Sequence, residues 1–200
     1  MTLLSICAAL ARNVGMADPD VVVTSPQRQW KEALQYANEA GEELARRVDW
    51  GQLQESIILT GDGTNKTHAL PALFSRFNRG ISIMAGTAIV RPLTRAEWSR
   101  LSPVAGTPRY FILEGKEVTL WPFLAADATA TGQYQSLAWC GNGQAEFTAD
   151  TDAALIDEGL FAKALIVRWR RQKGMPYADE EAEYEAVLQD LAGFNDRSRI

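Results

Sequence analysis

The chain is poor in the residues that most often carry chemistry. It has one histidine, His68, and two cysteines, Cys7 and Cys140. A Cys/His zinc centre needs about four such ligands, so this chain alone does not supply one. Each thiol has a single imidazole to work with, which leaves Cys–His chemistry one pairing apiece. No apolar run approaches the ~18–20 residues that a bilayer span needs. The stretch Thr2 to Ala11 is apolar enough for a signal-peptide core, but no basic flank precedes it and Arg12 follows directly, which argues against a signal. The cysteines then read as free, buried thiols in a reducing compartment, with a disulfide between them left open. Basic residues are also scarce, 20 against 25 acidic ones, for a formal charge of −5. A broad surface for gripping nucleic acid would need clustered Lys and Arg.

What is present is the composition of an ordinary globular chain, 46% hydrophobic and 22% charged, of a length suited to one or two domains. Hydrophobic periodicity divides it into three parts. Residues 2–48 and 152–194 read as helical, and 50–149 as strands. Leu3, Cys7, Leu10 and Val14 form one helical stripe, with Gly15 as its stop. Ser25 and Pro26 predict the start of a second helix, whose stripe is Trp30, Leu34, Ala37, Gly41, Leu44 and Val48. Gly41 on that stripe predicts the close approach of another helix.

In the middle part, strands are expected at 56–60, 81–83, 87–90, 109–113, 117–121 and 131–139, the last with a partner near Ala145–Phe147. Gly61-Asp62-Gly63, Ala85-Gly86 and Glu114-Gly115-Lys116 are turn signals that predict hairpins. Thr94 and Glu97 form a capping box before Trp98. Short strands, Gly-rich turns and no long helix among them predict an antiparallel sandwich. In the last part, Leu160, Phe161, Ala164, Leu165 and Trp169 form the inner face of a helix that stops at Gly174 and Pro176. A final helix carries Tyr177, Tyr184, Leu188 and Leu191. The expected fold is therefore α+β: a bundle of about four helices, residues 1–49 and 150–200, with an antiparallel β-sandwich-like domain, residues 50–149, inserted.

No constellation in the sequence carries catalysis. His68 lacks a nucleophile elbow near it and reads as a surface or turn residue. The stretch from Gly61 to Thr67 departs from the phosphate-loop pattern and opens no helix. Asp150, Asp152, Asp157 and Glu158 lack the glycine and terminal glutamate of a calcium loop, and fit helix capping better. No cofactor and no metal site are expected. The penultimate helix is basic through Lys163, Arg168, Arg170, Arg171 and Lys173, and the last is acidic through Asp179, Glu180, Glu181, Glu183, Glu185 and Asp190. Arg168, Arg170 and Arg171 beside Trp169 also suit a nucleic-acid patch, but ion pairing with Glu180, Glu181 and Glu183, within the chain or between subunits, is the favoured reading. Six tryptophans favour cores and interfaces.

The order of features resembles the head–tail adaptor (connector) proteins of tailed bacteriophages, including the tail tubular protein A type and portal-bound neck adaptors. The resemblance starts at Ala45-Arg46-Arg47-Val48-Asp49-Trp50 and continues through Leu70-Pro71, Phe74 and Arg91-Pro92-Leu93-Thr94 into Trp98. Its most telling stretch is Gly106-Thr107-Pro108-Arg109-Tyr110-Phe111, then Glu114-Gly115, Leu120-Trp121-Pro122 and Tyr134. Asp150-Thr151-Asp152, Tyr177-Ala178 and Tyr184-Glu185 complete it. No single element is specific; their order is.

This resemblance implies a non-enzymatic virion protein of the neck, made in the host cytoplasm. It implies a ring of about twelve copies, bound to the portal protein, receiving a downstream tail or neck protein, and passing genomic double-stranded DNA without sequence-specific binding or membrane contact. In relatives a C-terminal segment docks in the portal, which makes Asn195, Arg197, Arg199 and Ile200 candidate portal-docking residues here. The alternatives are a DNA-binding accessory factor using Arg168, Arg170 and Arg171, or a small hydrolase using His68.

Overall fold

Thr2 opens the first helix, α1 (Leu3–Val14), by accepting a hydrogen bond from the Ser5 amide, and Gly15 closes it in the left-handed region at φ 73°. The computed structural model describes residues 2–78 and 83–197, with side chains as far as Gly193. The chain divides into two compact units, Met1–Leu53 with Leu137–Ile200, and Gln54–Ser136.

The first unit contains α1, α2 (Arg28–Arg47), α4 (Glu158–Gln172) and α5 (Ala178–Arg197), while a one-turn α3 (Arg95–Trp98) lies in the second. Helices α1, α2 and α5 all pack on α4. The apolar stripes meet there: Leu3, Ile6, Cys7 and Leu10 from α1, Trp30, Ala37 and Leu44 from α2, and Leu160, Phe161, Leu165 and Trp169 from α4 are buried together. Helix α2 begins later than Ser25 and Pro26 predict. Gln27 precedes it without a side-chain cap, while Ser25 holds the preceding turn by accepting from the Gln27 amide at 3.3 Å. Helix α4 likewise starts at Glu158, capped by Asp157, because residues 153–154 are drawn into bridges with Thr2 and Cys140.

An irregular segment, residues 137–157, completes this core. Trp139 packs on Phe147 and Phe161 at ring-centroid distances of 4.8 and 5.4 Å. The neighbour expected at Gly41 is this indole rather than a helix. A Cβ at Gly41 would stand 2.4 Å from the Trp139 ring, so only glycine admits it. The strand partner expected at Ala145–Phe147 does not form, since that stretch serves the helical core. Both thiols are free and buried, and burial pushes Cys7 up to about 12.

The second unit holds β1 (Gln54–Thr60), β2 (Thr67–Ala69), β3 (Phe74–Phe77), β4 (Ile83–Ala85), β5 (Ala88–Pro92), β6 (Tyr110–Glu114), β7 (Glu117–Trp121) and β8 (Thr129–Ser136). They join into one eight-stranded sheet in the order β1-β8-β4-β5-β6-β7-β2, with β3 also on β8. The hairpins at Gly86 and Gly115 are present, with Ile83 opposite Val90 and Ile112 opposite Thr119. Ile81 and Ser82, expected in a strand, lie outside the described residues.

The expected helical bundle with an inserted antiparallel sandwich is overturned by this topology. The strands make one mixed sheet curled into a nearly closed barrel. Two non-local choices produce it. First, Gly61-Asp62-Gly63 does not fold β1 back onto β2. Strand β1 pairs along its whole length with β8, and β2 pairs with β7. Second, β5 and β6 run parallel, Arg91 beside Tyr110. A parallel step needs a crossover, and residues 93–109 with α3 supply it. The interior is filled by Leu59, Ile83, Val90, Phe111, Val118, Leu120 and their neighbours. Gly132 of β8 permits the curl, because a Cβ there would lie 2.9 Å from Ile57 and 3.0 Å from Phe77.

Candidate interaction surfaces

Helix α4 places its cations on the side away from its buried stripe, and each of them meets an acid of the same chain. Arg168 spans Glu39 and Glu43 of α2, at 2.6 Å to each. Arg170 contacts Glu180 at 3.0 Å and also donates to Asn13 and to the Pro176 carbonyl. Arg171 pairs with Glu181, Lys163 with Glu183 at 2.5 Å, and Lys173 with Glu32. Arg47 of α2 reaches both oxygens of Glu185 at 2.6 and 2.8 Å, and donates to the Tyr184 hydroxyl. The Arg47 guanidinium holds the Glu185 carboxyl below the ordinary carboxylate range, and Lys173 with Arg28 does the same for Glu32. All six residues singled out for pairing, Arg168, Arg170, Arg171, Glu180, Glu181 and Glu183, therefore hold partners within the chain.

Between α2, α4 and α5 these pairs enclose a cleft of about 250 Å³ with Arg168, Arg171, Glu43, Glu181 and Glu185 on its walls. Both signs are present and already matched, so the cleft shows no preference for an ion of either sign. Of the candidate docking residues, Asn195 and Arg197 fall in the last turn of α5 with side chains outside the described residues, and Arg199 and Ile200 lie outside them altogether.

The acids suspected of holding calcium are occupied by backbone amides. Asp150 accepts from the Val22 and Val23 amides at 3.0 and 2.9 Å. Asp152 accepts from Thr148 and Ala149 at 2.7 and 2.8 Å, and from Asn142, which lowers its pKa. Asp157 caps α4 at 2.8 Å. Among the described residues no group of three or more metal-ligating side chains forms. His68 sits in β2 opposite Val118, and burial lowers its pKa. Its Nε2 meets no hydrogen-bond partner among the described residues. Asp62 holds its own turn by accepting from the Thr64 and Asn65 amides at 2.8 and 2.5 Å. The capping box is made as expected, Glu97 accepting from the Thr94 amide at 2.9 Å and Thr94 from the Glu97 amide at 3.3 Å.

Sequence reasoning did not single out the outer face of the sheet. Ile58 of β1 stands opposite Thr131 of β8, Thr131 opposite Met84 of β4, and Met84 opposite Ile89 of β5. All four are exposed, so an apolar row crosses four strands. The same face continues through exposed Arg91 and half-buried Tyr110 and Trp121, the two rings stacked at 5.9 Å. The signal was alternation: Ile58 and Ile89 each follow or precede a buried aliphatic, but runs such as Ile57-Ile58-Leu59 hide which member faces out.

None of the curated proteins matches the chain. The model of the SU10 adaptor protein family matches residues 1–199. The expected resemblance is thus met at the level of the family, and the chain belongs to the SU10 adaptor proteins, a family of bacteriophage head–tail adaptors.

Proposed function

We propose that this chain is the ring-forming neck component of a tailed bacteriophage. Copies assemble into a ring of about twelve beneath the portal, receive the next tail or neck protein on the opposite side, and continue the channel through which genomic double-stranded DNA passes. The family match over residues 1–199 carries this reading. An acidic chain, −5 overall, suits a channel from which DNA must slide rather than stick. The arginines that would otherwise serve a DNA-binding accessory factor, Arg168, Arg170 and Arg171, are engaged by acids. Contacts between copies through these residues would proceed by exchange of the partners they hold. Asn195, Arg197, Arg199 and Ile200 would meet the portal.

The test is a mass measurement by light scattering or native mass spectrometry, with and without purified portal protein. A ring bound to the portal is expected. A protein that stays monomeric and never binds its portal at any concentration or salt removes the proposal.

A further inference from the structure

The row Ile58, Met84, Ile89 and the adjoining Arg91, Tyr110 and Trp121 give the sheet an outer face with the composition of a protein interface, rich in aliphatic, aromatic and arginine side chains. Ile58 is 67% exposed and Ile89 43%. The outward positions of β1, β8, β4 and β5 carry no acid: Gln54, Ser56 and Thr60 flank Ile58, and Thr129 and Gln133 flank Thr131. Strand β1 is also an open edge, paired on one side with β8. It has no proline or lysine to guard it. Arg91 is exposed on this face, and its side chain has no ion pair among the described residues.

The helical unit carries a feature of the opposite sign. In the connection between α1 and α2, Pro19 and Val22 are buried while Asp18, Asp20 and Val21 between and beside them are exposed. The connection is held firm because the Val22 and Val23 amides donate to Asp150. It therefore presents two carboxylates and one aliphatic side chain in a fixed arrangement. Neither carboxylate has an ion pair among the described residues. A preorganised loop pays little ordering entropy on docking.

From this complementarity we infer that the outer sheet face of one copy binds the Asp18–Val21 loop of a second copy of the same chain. Asp18 and Asp20 meet Arg91, and Val21 adds to the Ile58–Ile89 row. Because the two patches differ, the contact is head-to-tail, and such contacts form a ring where the rotation between copies closes. The inference rests on the ring proposed above and names the surfaces that build it.

Charge reversal tests it on the full-length protein. One variant carries Arg91→Glu, and another combines Asp18→Lys with Asp20→Lys. Assembly is followed by sedimentation velocity, alone and with the portal protein. Each variant is expected to assemble about a hundredfold less readily than the parent, because like charges then face each other. An equimolar mixture of the two is expected to regain assembly, since the acidic sheet of one accepts the basic loop of the other. Regained assembly also shows that both variants are folded. If both variants form rings as the parent does, this inference falls and the ring reading stands. If they form rings but no longer bind the portal, the face is a portal contact and the inference falls. If the parent itself forms no ring, alone or on the portal, both readings fall.

Discussion

The helical unit and the sheet unit treat their charges in opposite ways. Residues 1–53 and 137–200 hold 12 basic and 19 acidic side chains, yet the cations of α4 are all matched to acids of α2 or α5. Residues 54–136 hold 8 basic and 6 acidic side chains, and leave Arg91 and Arg109 without an ion pair among the described residues. Their apolar residues differ too. The helical unit gathers its large aromatic residues around Trp139, whereas the sheet unit keeps Ile58, Met84 and Ile89 in a row outside. The first is built to be stable as one body. The second keeps a surface unfinished, and that is where a partner gains most.

The contrast can be broken most severely at the helical core. Trp139→Ala removes the indole that touches Gly41, Phe147 and Phe161 and is expected to cost about 3–5 kcal/mol, read as a lower urea midpoint. Assembly would weaken only in step with folding. A smaller loss is expected from Asp150→Ala, which leaves the Val22 and Val23 amides without their acceptor. About 2 kcal/mol is the expected scale, again from urea unfolding.

Arg168→Ala tests whether the matched charges matter individually. Arg168 is a quarter exposed, so solvent screens its two pairs, and a loss of about 1 kcal/mol that shrinks in high salt is expected. A loss unchanged by salt would assign the effect to packing of the side-chain stem.

The same pairs predict a pH dependence. The Glu32 and Glu185 carboxyls titrate below their ordinary values in the folded chain. Their contribution is full above the ordinary carboxylate range and is lost as pH falls through the depressed folded values. Urea midpoints should therefore drop as pH falls below about 4, and less steeply in Glu185→Gln. An equal slope in that variant would show that other carboxylates dominate. The smallest effect on stability belongs to the sheet face. Ile58→Ser should change the unfolding free energy by no more than about 0.5 kcal/mol, because the side chain is already in water, while reducing assembly.

Much of the helical unit was legible from the sequence because its signals are local. The stripe Leu160, Phe161, Ala164, Leu165 and Trp169 is buried as spacing predicts. Gly15 and the Thr94–Glu97 box act where they stand. The hairpins at Gly86 and Gly115 were legible for the same reason. The sheet order was not. Turn residues at Gly61-Asp62-Gly63 say that the chain bends, and not which strand it meets. That β1 takes β8, and that β5 and β6 lie parallel, depends on strands far apart in sequence. For the ion pairs, the sign of α4 and α5 was readable. That Arg168 turns to Glu39 and Glu43 of α2 was not, because no local rule brings α2 alongside.

By itself, then, the sequence determined where helices and tight turns form, that few catalytic side chains exist, and which family order the motifs follow. These are properties of short segments and of composition. Tertiary structure decided that Trp139 fills the space over Gly41, that the strands close into one mixed sheet, and that Ile58, Met84 and Ile89 share a row facing solvent. The reason is physical: a period of two says that side chains alternate, but only pairing with distant strands decides which face is inside.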